Sequence, residues 1–384
     1  MAPNVNLLQL RGTHHEIGLK QGQAIRADIN KFLSEMPNIR AFTMMKPKLI
    51  PTSLYIYLGK RRATKLLEND ITQHQPKQME RLKGISEGAE LNIPTTLFLQ
   101  SLELLIGTPT YTTQACTTLA FTQARTKSKE VIVAKNFDYL NDLSPHQLLI
   151  ESNPEGRYRT LSSTVGPLPG TLDGMNEHGL TVTYNLIFST DKPTNYVPLS
   201  MVLQEMLETC RSTEEAVRYI TESKRGGHEA VLTIADPSGD VRAVEITSNH
   251  SATRRITNGQ MINANKCQTD EMRRYEVPYN AVYSGSGSPE EWRGMRVHES
   301  SEMRQSRAEE LLRVEGGVDE EKIKSILRDH RGGDPSNLTI CMHGPLFSTV
   351  RSMIFYPERR SLKVLHGNPC KSEYSEFSFS PRSN

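Results

Sequence analysis

The sequence predicts an α+β fold in which antiparallel sheets are covered by helices. Three observations carry this expectation. The first 115 residues are patterned as helices, the pattern switches to short hairpin-linked strands at Cys116, and two later helix pairs separate groups of strands.

The elements follow in order. Glu16 to Phe32 places Ile17, Ala24, Ile25, Ile29 and Phe32 at helical spacings, with Gly18 and Gly22 four residues apart on one face. Glycine lowers helix stability, so this pair predicts close approach of a neighbour. Further helices are expected over 78–90 and 95–106, punctuated by Pro94 and by Gly107 with Pro109. Strands are expected over 116–122, 129–137, 157–163, 171–173 and 180–186, with Asn176-Glu177-His178-Gly179 as a hairpin turn. Helices over 199–210 and 213–222 come next. Strands over 230–235 and 241–247 then flank the turn Asp236-Pro237-Ser238-Gly239. Residues 284–289, with Gly285 and Gly287, form a loop that lacks the ending of a phosphate-binding motif. Helices over 306–314 and 319–328 precede strands over 349–356 and 362–366.

Composition narrows the function classes. The chain has 384 residues, of which 36% are hydrophobic and 23% charged, a globular mix. Its 46 basic and 44 acidic side chains leave a formal +2, so charge argues for neither nucleic acid nor an anionic membrane as partner. No stretch reaches the roughly 20 apolar residues that would span a bilayer. Met1 to Leu10 lacks the charged and apolar regions of a secretory signal, and a cytoplasmic location is expected. Residues 1–115 carry 14 Lys/Arg against 9 Asp/Glu, and residues 116–384 carry 32 against 35. Opposite signs favour the two parts lying together. With no repeat and no low-complexity linker, residues 1–384 are expected to form one domain.

Five scattered cysteines, Cys116, Cys210, Cys267, Cys341 and Cys370, do not make a disulfide framework. No pair has CxxC spacing, so no metal is expected. His14-His15-Glu16 has metal-like composition, but adjacent histidines point to different faces of a helix. Cys116 opens a strand in Gln114-Ala115-Cys116-Thr117-Thr118. Lys135-Asn136-Phe137-Asp138 and Tyr184-Asn185 follow at strand ends, where polar side chains can line a site, and Asn263-Ala264-Asn265-Lys266-Cys267 follows Gln260-Met261-Ile262. A buried amide at such a place can donate to an oxyanion.

In this order the residues resemble the isopenicillin N acyltransferase (acyl-CoA:6-aminopenicillanate acyltransferase) family. It is a branch of the N-terminal nucleophile hydrolases that includes carcinine and N-β-alanyldopamine hydrolases. Gly12-Thr13-His14-His15-Glu16-Ile17-Gly18 with Gly22 is similar to its opening GxxxExG…G element. Glu87-Gly88, Cys116-Thr117-Thr118, Asn136-Phe137-Asp138 and Gly174 to Leu180 followed by Tyr184-Asn185 are similar to later motifs. Ser336 to His343 and the closing strands resemble the family's last third.

The resemblance implies a four-layer αββα sandwich and self-cleavage between Ala115 and Cys116. The products would be an α segment, 1–115, and a β segment, 116–384, that stay partners. Cys116 would be the nucleophile, and its freed α-amino group, with a pKa near 7.7–8.0, would be the base. Asp138 would pair with that amine. Asn185 and Asn265 would form the oxyanion hole, with Asn263 the alternative if the register shifts by two. Lys135 and Tyr184 would contact substrate, a small amide or acyl donor. No cofactor is implied, although acyl-CoA is a conceivable co-substrate. Three residues depart from the pattern: Ala115 replaces a common Gly, Lys135 an Arg of more distant relatives, and Lys266 an expected His. The alternatives are an uncleaved, non-catalytic binding protein on this scaffold, and a papain-like pairing of Cys116 with His330 or His343. Acyl and amine specificity, reaction direction and oligomeric state stay open.

Overall fold

The computed structural model describes residues 5–105, 115–166, 169–227, 229–284, 288, 290–313 and 316–380. Gly107, Pro109, Gln114, Gly285, Gly287, Pro289 and Val314 of the expected elements lie outside them.

Strand β1 (Leu7–Gly12) leads into helices α1 (His14–Glu35), α2 (Arg40–Met45), α3 (Thr52–His74), α4 (Pro76–Gly88) and α5 (Ile93–Leu105). Strands β2 (Ala115–Phe121), β3 (Ile132–Leu140), β4 (Gln147–Pro154), β5 (Thr160–Val165), β6 (Asp173–Asn176) and β7 (Thr181–Leu186) precede α6 (Leu199–Thr209) and α7 (Thr213–Glu222). Then come β8 (Ala230–Ala235), β9 (Val241–Ile246), β10 (Ser251–Arg255), β11 (Gln260–Asn263), α8 (Asp270–Arg273), α9 (Glu299–Leu311) and α10 (Glu320–Leu327). Strands β12 (Phe347–Tyr356), β13 (Ser361–His366) and β14 (Ser375–Ser378) close the chain.

Two sheets form from these strands. One has the order β1-β4-β5-β6-β7-β8-β9-β10, the other β11-β2-β3-β12-β13-β14. All pairs are antiparallel except β1 with β4, so the first segment supplies an edge strand to the larger sheet. The sheets face each other across an apolar layer that includes Ala120, Val133 and Met353 from one and Leu161, Met175 and Val231 from the other. Helices α1, α6 and α7 cover the outer face of the larger sheet, and α9 and α10 cover that of the smaller. The layers therefore run αββα, as expected, and both faces of β2 and β3 are covered. Every residue of these two strands is buried. That explains the apolar residues and threonines of β2, and it leaves Lys135, Asn136 and Asp138 of β3 as buried polar groups that need partners.

The opening motif turns out to be architectural. Thr13 caps α1, and the Glu16 side chain reaches back to the Thr13 N–H, a reciprocal capping box. Gly18 and Gly22 pack against α4, the close approach that the sequence predicts. A Cβ on Gly22 would stand 2.4 Å from the Ile85 carbonyl oxygen, and one on Gly84 would stand 2.1 Å from that of His15. Buried His14 sits with Nε2 2.8 Å from Glu208 Oε2, tying α1 to α6. The turn at 176–179 also forms as read, with Gly179 at φ +82° and its N–H donating to the Asn176 carbonyl.

Several boundaries differ from expectation. Strand β3 runs three residues later than read, so Lys135 to Asp138 lie inside it rather than at its end. Helix α9 starts at Glu299 rather than at 306. The long helix α3 and strands β1, β4, β10, β11 and β14 were not anticipated.

Candidate active site

Cys116 is the second residue of β2 and has no exposed surface. The strand register places Cys116 opposite Phe137 and Ala115 opposite Asp138. The Cys116 N–H donates to Asn265 Oδ1 at 2.7 Å. Asn265 lies just beyond β11, the neighbour of β2. It is held on all sides. Its own N–H donates to Ser301 Oγ at 2.9 Å, and Nδ2 donates to the Leu186 carbonyl at 2.7 Å. One hydrogen of Nδ2 is left uncommitted among the described residues.

Asn185 has a different local role. Its Oδ1 accepts from Thr118 Oγ1 at 2.7 Å, and Nδ2 donates to the carbonyls of Asn263 and Ala264 at 3.0 and 3.2 Å. Both amide hydrogens thus fix the backbone that carries Asn265. Asn263 points elsewhere: it donates to Thr233 Oγ1 and accepts from Arg254.

A residue that the sequence reading missed completes this side of the site. Arg304, on α9 and 1% exposed, donates through Nη1 to the Cys116 carbonyl and to Thr117 Oγ1. Its Nη2 reaches Asn265 Oδ1 at 2.8 Å. Within a run of charged residues it reads as part of a solvated face. The available signal was Ser300, Arg304 and Ala308 at four-residue spacing, the buried stripe of an otherwise polar helix.

Asp138 is fully buried. Its Oδ1 accepts from Thr349 Oγ1 at 2.5 Å, while Oδ2 has no hydrogen-bond partner among the described residues. Burial raises its pKa to about 7, against the opposing pull of Arg304, Thr349 and Lys135. Lys135 is 1% exposed. It donates to Asp173 Oδ1 at 2.5 Å and to the Tyr184 carbonyl, with Nζ 5.5 Å from the Tyr184 ring centroid. Arg351 Nη2 binds the other Asp173 oxygen at 2.8 Å.

Around Cys116, therefore, three buried cations face two buried carboxylates. That balance suits a thiolate or an oxyanion. In the uncut chain the thiol is nonetheless pushed up to about 11, because burial outweighs the attraction of Lys135. His330 and His343, the papain-like candidates, group with two other cysteines, Cys341 and Cys370.

Comparison with known proteins follows this geometry. The chain is 25% identical over 245 residues to protein dcd1A of Dictyostelium discoideum and 23% identical over 256 residues to the beta-alanyl-dopamine/carcinine hydrolase of Drosophila melanogaster. These alignments cover 58% and 61% of this chain, and span 54% and 62% of the relatives' own lengths. A crystal structure of a variant of conjugated bile acid hydrolase from Clostridium perfringens matches with a TM-score of 0.47 at 16% identity, over 69% of this chain and 97% of that one. Residues 124–371, which include Asp138, Asn185, Asn265 and Arg304 and begin eight residues after Cys116, match the profile of the acyl-coenzyme A:6-aminopenicillanic acid acyl-transferase family, and the chain belongs to that family.

Proposed function

We propose that the protein is a self-processing cysteine amidohydrolase or acyltransferase that acts on a small N-acyl amide or acyl thioester through an acyl-Cys116 intermediate. The observation that carries this reading is the clamp on Cys116. Its backbone nitrogen sits on Asn265, and the carboxylate across the strand pair has one buried oxygen waiting for a donor.

Processing begins when Cys116 Sγ attacks the Ala115 carbonyl carbon. The bond to the Cys116 nitrogen breaks, the nitrogen takes up the thiol proton, and a thioester joins the two residues. Water then releases the Ala115 carboxylate and leaves a free α-amino group on Cys116. Asp138, opposite Ala115 in the register, accepts a hydrogen bond from that ammonium through Oδ2. The amine supplies the base that a thiol pushed up to about 11 needs. In turnover, the uncommitted Asn265 Nδ2 hydrogen donates to the oxyanion. Asn185 positions Asn265, and Arg304 holds the Asn265 oxygen and the Cys116 carbonyl in place. Lys135 and Tyr184 form the wall beside the sulfur, and the Lys135 charge favours the thiolate. Water or an amine then takes the acyl group, and acyl-CoA fits as a thioester donor. The β-alanyl amine of the Drosophila relative's name makes β-alanyl amides the first compounds to assay.

The complete burial of Cys116 in the uncut chain favours one second reading, an uncleaved binding protein. Cys116→Ala separates the two. Under the enzyme reading, hydrolysis of a panel of β-alanyl and other N-acyl amides falls to background in this variant. Ligand binding by both forms with turnover by neither would favour the second reading, and activity that survives the substitution would exclude both.

A further inference from the structure

We infer that the protein holds a zinc ion at a Cys2His2 site formed by His330, Cys341, His343 and Cys370. This inference is independent of the role proposed for Cys116. One ring nitrogen of each histidine and both sulfurs lie within 4.8 Å of one another. The His343 Nε2 is 3.4 Å from Cys341 Sγ and 3.3 Å from Cys370 Sγ. In a tetrahedral zinc site, with Zn–S about 2.3 Å and Zn–N about 2.0–2.1 Å, sulfur and nitrogen stand about 3.6 Å apart. His343 and the two sulfurs are therefore already close to that spacing, and the His330 nitrogen lies within 4.8 Å of them. The His330 ring packs edge-on against that of His343, with centroids 5.1 Å apart. Its Nε2 is buried and has no hydrogen-bond partner among the described residues.

Framework bonds bring three separate loops to this point. Asn136 Nδ2 donates to the Leu327 carbonyl, at the end of α10, and to the Ile340 carbonyl. That bond pair draws the segments of His330 and Cys341 together. The Cys341 N–H donates to the Asp329 carbonyl at 3.1 Å. Asn368 Nδ2 donates to the Met342 and Thr349 carbonyls, which brings in the loop of Cys370. A soft donor set of two thiolates and two imidazoles selects zinc over magnesium or calcium. With all four positions filled by protein, the site is structural rather than catalytic. Binding releases the two thiol protons to solvent, so loading weakens as pH falls. The absence of CxxC spacing, which argues against zinc in sequence, does not bear on ligands drawn from three loops. The site also adjoins the proposed catalytic carboxylate. The Met342 N–H donates to Thr349 Oγ1, which donates to Asp138.

The test is metal content of the full-length protein purified without chelator, then equilibrated with zinc and freed of excess. About one zinc per chain is expected for a single closed site. Cys116→Ala should keep that zinc, and the Cys341→Ser/Cys370→Ser double variant should lose it at least about tenfold. Cobalt substitution of the wild-type protein should give tetrahedral d–d bands with a sulfur-to-cobalt charge-transfer band, a reading that does not depend on the variant folding. Wild-type protein without zinc or that cobalt spectrum overturns the proposal. So does a double variant that retains its zinc, or a Cys341–Cys370 disulfide in freshly purified protein.

Discussion

Asn265→Ala should lower turnover by about 100-fold or more, the usual loss for one oxyanion donor, the role proposed for its amide. The same substitution removes the acceptor shared by the Cys116 N–H and Arg304. Leaving such buried donors unpaired costs about 1–3 kcal/mol each, so cleavage before Cys116 also slows. Asn263→Ala is the control. Its side chain bonds Thr233 and Arg254, away from Cys116, and turnover per cleaved molecule should stay within a few-fold. Steady-state kinetics on matched fractions of cleaved protein decide the matter. A large loss in Asn263→Ala with little in Asn265→Ala would shift the oxyanion role two residues upstream.

Asp138→Asn should raise stability and abolish turnover together. The Asp138 carboxyl is held at about 7 in the uncut fold, above the value of about 3.9 expected when unfolded. The folded chain therefore binds this proton more tightly, and ionisation opposes folding. The penalty is full above about pH 7, shrinks as pH falls toward 4, and is absent below that. Asparagine carries no such penalty and keeps an oxygen for Thr349. In a Cys116→Ala background, which holds the chain uncut, Asp138→Asn should melt several degrees higher at pH 8. The gap should close by about pH 4. A variant that melts lower at pH 8 would mean that the ionised carboxylate is already well paired before cleavage. Under the proposed mechanism the α-ammonium of the cleaved enzyme would become that partner, so the same substitution there should remove function.

The parts of the fold legible in sequence are those set by local pattern. Gly18 and Gly22 announced a close helix contact, and α4 provides it. The hairpin around Gly179, the paired helices α6 and α7, and strands β8 and β9 have strong periodicity between clear turns. Helix α3 was hidden because it buries only Ala63, Leu67 and Ile71 while exposing Leu54, Tyr57 and Leu58. Its apolar residues therefore trace no single face. Strands β1 and β4 depend on a parallel pairing between positions more than 130 residues apart, which no local pattern encodes.

The candidate site divides in the same way. Cys116, Asp138 and Asn265 were legible through motif order. The different partners of Asn185 and Asn265 were not, because they depend on which backbone groups each amide meets in the packed sheets. Arg304 and the Cys341–His343–Cys370 cluster were illegible for a related reason. Each takes its meaning from a neighbour that only the packed layers bring close.

The central claim is that the chain cuts itself before Cys116, and intact mass of the purified protein under denaturing conditions tests it most directly. The account predicts two species, about 13 and 30 kDa by proportion of length. The larger should begin at Cys116, and both should collapse into one uncut species in the Cys116→Ala variant. A single wild-type species of 43.3 kDa would contradict it.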